Sequence, residues 1–413
     1  MRFTTGILFL LLFTLLLLIS TTENVLSLDW LVDKVPFETT LKKTNRGTLV
    51  LSNALVSREF LLEPDFATID FRDNHTTKSS LLRCVKPEAI ITLDGIEYPI
   101  GGVLSNAHCA YFNRTLFWTN KTKDPMAFHF KSYDVLQPQA PFKYTPKRHA
   151  PSDIVWPPKG IHLKVYFQAP WYAPMPHQYV IVSVNYEMYD GIPLIVKWLE
   201  VIDVEQAGDV DLSFISVELL AVNLPWSPMG HYWLYAETNQ PGGHGTNVLW
   251  NWDTELWTVP GSLPVLLNCT YETDHPIIIP LKGRITSFRV HELVIASSDP
   301  ERVGLSKHRL VRLLAPHTQE NPIFFHMIDS SSPAFRKAID QLAEVGFEML
   351  IYSFWSGFNM ESDDEKYIEE ISGKLETDIA YANSKGIEVG GYDLIALTRQ
   401  VPVQWMAIDP NTG

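Results

Sequence analysis

Three cysteines in 413 residues are too few for a disulfide framework, and none stands in a CxxC or Cys/His spacing that would hold zinc. Basic residues are also scarce. With 33 Lys and Arg against 47 Asp and Glu, the formal net charge is −14, which argues against a nucleic-acid partner and against an anionic membrane surface. No GxSxG nucleophile elbow occurs, nor an internal repeat, a low-complexity tract or a flexible linker. Beyond the first 27 residues no run is long and apolar enough to span a bilayer. No cofactor motif stands out either: Gly242-Gly243-His244-Gly245 is followed by no helical pattern and reads as a turn rather than a phosphate or oxyanion loop.

Aromatics and proline, by contrast, are plentiful: 12 Trp, 16 Tyr and 28 Pro point to a β-rich body with many turns. The length allows two domains and a large core. Arg2 followed by the apolar run Ile7 to Ile19 has the form of a signal peptide, shorter than the roughly 20 residues of a membrane span. Cleavage after Ser20 or Ser27 is expected; an uncleaved anchor is the alternative. Removing residues 1–27 takes away Arg2 and Glu23 and leaves the charge at −14. Export by the secretory route, to the outside or to a lysosome, gives meaning to four N-x-Thr acceptors at Asn74, Asn113, Asn120 and Asn268. It also favours a bridge between Cys84 and Cys109, worth about 3 kcal/mol by loop entropy. Cys269 would then be left over inside a sequon; three reduced, buried thiols are the alternative.

Residues 28–315 carry short β-prone runs and no helical pattern of useful length. Among them are Gly47–Ser52, Ala89–Leu93, Ile161–Phe167, Tyr179–Tyr186, Leu194–Val201 and Phe214–Val222, several with period-two alternation. Asp94-Gly95, Asp190-Gly191-Ile192-Pro193 and Gln240-Pro241-Gly242-Gly243 separate them as turns. An antiparallel β-sandwich is the economical reading. The aromatic cluster Trp250, Trp252 and Trp257 reads as a sandwich corner more readily than as the cap of a sugar cleft. Ser297-Ser298-Asp299-Pro300 and the basic stretch after it are expected to join two domains.

The stretch from Pro322 to Leu394 differs in kind, because strand and helix alternate. Ile323–Ile328 is a strand, and Ser332 followed by Pro333 starts a helix whose stripe is Phe335, Ala338, Ile339 and Leu342, ending at Gly346. Phe347–Ser353 is a second strand. Ser362 and Glu365 form a capping box for a second helix with stripe Ile368, Ile371, Leu375, Ile379 and Ala382, closed by Lys385-Gly386. Ile387–Leu394 is a third strand. This order predicts parallel strands with right-handed crossovers, the start of an α/β barrel or a doubly wound sheet. In such folds chemistry sits at the carboxyl ends of the strands. Those ends offer His326 and Asp329, then Tyr352 to Asn359, then Tyr392 and Asp393. Asp393 can accept hydrogen bonds from adjacent sugar hydroxyls or serve as a loop ligand; Trp355 can be a stacking platform or a loop anchor.

Gly346-Phe-Glu-Met-Leu-Ile-Tyr-Ser and Tyr381-Ala-Asn-Ser-Lys-Gly-Ile-Glu-Val-Gly-Gly-Tyr-Asp resemble the early barrel strands of α-galactosidase-type glycoside hydrolases of families 27 and 36. Cys84-Val-Lys-Pro-Glu-Ala and Asp94-Gly95 are similar in placement to the N-terminal β-supersandwich of the family-36 enzymes. The resemblance implies a sandwich over residues 28–315 and the first three strands of a (β/α)8 barrel over 316–413. It also implies a carbohydrate ligand held by Asp393, Tyr392, Trp355, Ser353 and Asp329, and no cofactor. One feature departs from the pattern: Ser353 and Phe354 stand where those families carry a paired aspartate that holds sugar hydroxyls. In the families the catalytic carboxylates come from the fourth and sixth strands, and Pro322–Gly413 is far short of the roughly 250 residues of a full barrel. The expectation is therefore a catalytically incomplete, glycosidase-like chain. The alternative is a non-catalytic extracellular carbohydrate-binding or interaction protein.

Overall fold

The computed structural model describes residues 29–33, 37–105, 118, 121–147, 150–203, 210–225, 233–240, 246–252, 262–280, 282–359, 362 and 364–392. The chain divides into two compact units, one comprising residues 1–144 and 153–315, the other 145–152 and 316–413. The segment read as a signal peptide, Cys109, Asn113, Asn120, Trp257 and Asp393 lie outside the described residues.

The first unit is built of antiparallel sheets. A five-stranded meander runs from Thr40–Lys43 through Leu49–Ser52, Val56–Leu61 and Ala67–Asp73 to Ser79–Ser80. A second sheet orders His129–Leu136, Gly160–Gln168, Val180–Tyr189, Leu194–Asp203, Val290–Val294 and Leu234–Thr238, with Arg284–Thr286 also paired to the fourth strand. A third orders Thr246–Trp252, Ser262–Ile279, Val210–Pro225, Ala89–Leu93 and Ile96–Ile100, with Leu82–Cys84 beside Val210–Pro225. The hairpin between Ala89–Leu93 and Ile96–Ile100 turns on Asp94 and Gly95, at φ 46° and 77°. Both are left-handed, as a two-residue turn matched to strand twist requires.

All three sheets feed one core. Leu51, Phe60 and Phe71 of the meander meet Val165, Val184 and Leu199 of the second sheet and Ile91, Ile215 and Leu267 of the third. Each such side chain contributes about 1.5–3 kcal/mol on burial. The strand Leu194–Asp203 is buried on both faces over Leu194–Leu199, because Ile195 and Leu199 join this core while Leu194, Val196 and Trp198 join a second apolar cluster. That cluster joins Leu194, Val196, Trp198 and Leu293 to Val303 and Leu310 of helix α1, Pro300–Leu314. The stretch expected to be a connection is thus a helix of the first unit. Asp299 caps it, accepting from the Glu301 and Arg302 amides, and Pro300 occupies the first turn. Its stripe is short, only Val303, Ser306 and Leu310 being buried, so periodicity in a basic segment hides it.

Two polar features of this unit do not show in the hydrophobic pattern. Arg58, Glu88, Lys197, Glu218 and Glu292 are all buried in its core. His291 is also buried, with Nδ1 bonded to no partner. Burial foremost, and the Arg289 guanidinium next, lower its pKa to about 4 against the Glu237 backbone hydrogen bond.

The second unit is a three-stranded parallel sheet in sequential order, Phe324–Met327, Met349–Tyr352 and Glu388–Gly391. Helix α2, Ser332–Val345, and helix α3, Glu365–Ser384, are the crossovers. Met327, Leu350 and Tyr352 share one face of the sheet and one apolar cluster with Phe335, Ile339 and Leu342 of α2 and Ala382 of α3. Both helices therefore lie on the same face, as successive right-handed crossovers in one direction require. No further strand joins this sheet among the described residues. Gly346 ends α2 at φ 85°, a conformation that favours glycine. The cap residues sit beside those expected. Ser331, not Ser332, is the N-cap of α2, and Asp364, not Ser362, caps α3 by accepting from the Lys366 and Tyr367 amides.

Candidate functional site

The parallel register brings the carboxyl ends of the three strands to one edge. Met327, Tyr352 and Gly391 are lateral neighbours, so the residues that follow them gather there. The Ser353 amide donates to the Met327 carbonyl at 2.9 Å, and the Tyr392 amide donates to the Tyr352 carbonyl at 2.9 Å. The loop after the second strand is fixed to the loop after the first, since the Ser330 amide donates to the Ser356 carbonyl at 2.7 Å. Lys374 of α3 adds a hydrogen bond from Nζ to the Ser330 carbonyl.

On this frame stands a group of rings. Phe354 and Tyr392 meet edge to face with centroids 4.7 Å apart, and Tyr392 meets His326 at 5.5 Å. Phe354 is also 6.2 Å from Trp355, whose side chain is 93% exposed. Trp355 has φ 62°, which is uncommon for a bulky residue and costs of order 1–3 kcal/mol. Hydrophobic collapse does not explain a strained tryptophan held out in water. Beneath the rings, Tyr352 is buried, stacked on Phe335 at 5.6 Å and against Phe358 at 5.2 Å. Burial first, and then Asp378, push its hydroxyl well above the usual tyrosine range, so it stays a neutral phenol.

The carboxylates of these loops are otherwise engaged. Asp329 accepts from the Ser331 amide at 2.8 Å, and this bond lowers its pKa; it leads the chain into α2. Asp364 is occupied in capping α3. Asp378 is buried and ties the two helices together, accepting from Ser332 Oγ at 2.8 Å and Arg336 Nε at 3.3 Å. Of the residues expected to touch a ligand, Trp355 and Tyr392 flank Phe354, Ser353 and Asp329 lie on the adjoining backbone, and Asp393 lies outside the described residues. His326, noted only as a strand-end group, belongs to the ring cluster. The position Phe354 shares with it became visible only through the register.

No group of His, Cys, Asp and Glu able to hold a metal ion occurs among the described residues. No described helix is long and apolar enough to cross a membrane. Cys84 is disulfide-bonded and Cys269 is free and buried. Asn74 lies in a turn beside exposed Thr76 and Thr77. Asn268 lies mid-strand between Leu219 and Leu249, its Oδ1 accepting from Ser216 Oγ at 2.7 Å.

No family model and no curated protein matches the sequence. Among solved structures, the galactosidase domain of an α-galactosidase-sucrose kinase is similar at 11% identity and a TM-score of 0.48, over 85% of this chain and 57% of that one. The α-galactosidase from Lactobacillus brevis is similar at 9% identity and a TM-score of 0.48, over 84% and 54%. A family-36 α-galactosidase from Geobacillus stearothermophilus, solved with raffinose, is similar at 11% identity and a TM-score of 0.48, over 83% and 56%. The chain therefore spans little more than half the length of the solved structures its fold resembles, all three of them α-galactosidases or their domains.

Proposed function

We propose that this is a secreted, glycosidase-like protein that binds carbohydrate at the strand ends of its second unit, with Trp355 as the stacking platform. The observation that carries the reading is Trp355 itself, strained and fully presented beside Phe354 and Tyr392. An indole face suits the C–H face of a pyranose, while Ser353 and Asp393 offer polar contacts to its hydroxyls. The sequence likeness to α-galactosidase-type strands supports a sugar of the galactoside class and a barrel-type arrangement of the strands.

Binding without turnover is favoured over hydrolysis. A retaining glycosidase needs two carboxylates about 5 Å apart. Among the described strand-end residues, Asp329 and Asp364 both serve helix starts. The test is tryptophan fluorescence titration of the full chain with galactose, raffinose and matching glucosides, beside an assay on aryl α- and β-galactosides. Saturable quenching, weakened about threefold to tenfold by Trp355→Ala, is expected, on the scale of one aromatic contact. Equal affinity in the variant would refute the platform. Turnover abolished by Asp393→Asn would show a working enzyme instead of a binder.

A further inference from the structure

The core of the first unit holds five charged residues that solvent does not reach. Arg58, Glu88, Lys197, Glu218 and Glu292 are each at most 1% exposed, with Tyr186 buried among them. Arg58 comes from the five-stranded meander, Lys197 and Glu292 from the second sheet, Glu218 from the third, and Glu88 from just before the strand Ala89–Leu93. Two cations face three carboxyls. If all three were ionised, one negative charge would be uncompensated where burial of a lone charge costs several kcal/mol.

The hydrogen-bond donors show which carboxyl can be neutral. Glu218 receives Arg58 Nη1 at 2.8 Å, Arg58 Nη2 at 3.3 Å, Lys197 Nζ at 3.0 Å and the Leu219 amide at 3.0 Å. Glu88 accepts from the Thr68 amide and hydroxyl and from the Tyr186 hydroxyl, with Arg58 and Lys197 within 3.6 and 3.7 Å. Among the described residues, the one donor that reaches Glu292 is Arg58 Nη1, at 3.2 and 3.5 Å, a nitrogen already committed to Glu218. The two carboxyls thus face one donor, Arg58 Nη1, which lies 2.8 Å from Glu218 Oε2 and 3.2 Å from Glu292 Oε2.

We propose that Glu292 is a neutral carboxylic acid at neutral pH, and that the proton it retains makes the first unit more stable in mildly acidic than in alkaline solution. The third neighbour, the Cys269 thiol, adds no charge, because burial and then the two glutamates push its pKa well up. The electrostatics agree with the donor count. Burial and then the Glu218 charge push Glu292 well above the usual carboxyl range, while Arg58 and Lys197 overcome burial and hold Glu218 well below it. The signs follow from linkage. Folded Glu292 keeps a proton that an unfolded glutamate gives up above about pH 4.3, so stability falls as pH rises through that window, tenfold in the unfolding constant per pH unit. Glu218 contributes stability that is present above that value and is lost only in stronger acid.

The test uses the full chain. Glu292→Gln keeps the shape and a donor, so it is expected to fold, and its unfolding constant between pH 6 and 8 should change about tenfold less per pH unit than in the unaltered protein. Glu218→Gln removes the shared counter-ion of Arg58 and Lys197 and should destabilise far more than Glu292→Gln at pH 7. An unchanged pH slope in Glu292→Gln, or equal losses in the two variants, overturns the proposal. Infrared spectra of the unaltered protein carrying carboxyl-labelled glutamate provide a readout that needs no variant. A protonated-carboxyl band persisting at pH 7 is expected, and its absence overturns the assignment.

Discussion

Acidification should weaken this protein through His291, and the size of the effect follows from its surroundings. The imidazole is buried on the strand Val290–Val294, opposite Val196 and Glu237 in register. Burial and the Arg289 charge lower its pKa from 6.5 to about 4. Because the unfolded chain binds the proton more tightly than the folded one, stability falls as pH drops from about 6.5 toward 4. Between pH 7 and 5 the unfolded histidine becomes largely charged while the folded one stays neutral. That difference is roughly 2 kcal/mol, or about twentyfold in the unfolding constant. His291→Gln retains an amide donor for the Glu237 carbonyl and does not titrate. Urea unfolding of both proteins at pH 7, 6 and 5 should show the unaltered protein losing about 2 kcal/mol more than the variant over that range. Parallel curves would refute the reasoning. Glu292 acts with the opposite sign, so each variant isolates one term of the composite profile.

Three further outcomes are expected. Asp378→Ala leaves Ser332 and Arg336 without their acceptor and should cost about 1–3 kcal/mol, seen as faster proteolysis within α2 and α3. Cys269 should resist alkylation in the native protein and react on unfolding, while non-reducing digestion finds Cys84 in a bridged peptide. Peptide mapping of secreted material should find a glycan on Asn74, in its exposed turn, and a bare Asn268, because a glycan there would break the Ser216 bond inside a three-strand pairing.

Local rules alone determined the strand–helix alternation of the second unit, from Phe324 to Gly391. They also placed Gly346 at the end of α2 and Asp94-Gly95 as a hairpin turn, because period, caps and left-handed turn residues act over a few neighbours. The alternating run Ala89–Leu93 was legible because one residue in two faces the core, and Leu194–Val201 because a strand buried on both faces is apolar almost throughout. Strands such as Val56–Leu61 and Ala67–Asp73 were not, since Arg58 and Asp70 break the apolar pattern at positions the fold buries. Only the tertiary structure brought Arg58, Lys197, Glu88, Glu218 and Glu292 together, up to 234 residues apart, and gave each a partner. A charged residue reads as exposed until the sheets that surround it are placed. The site divides in the same way. Strand ends with Trp355 and Tyr392 followed from the alternation, but the grouping of Phe354 and His326 around Tyr392 came from parallel register, which no local signal encodes.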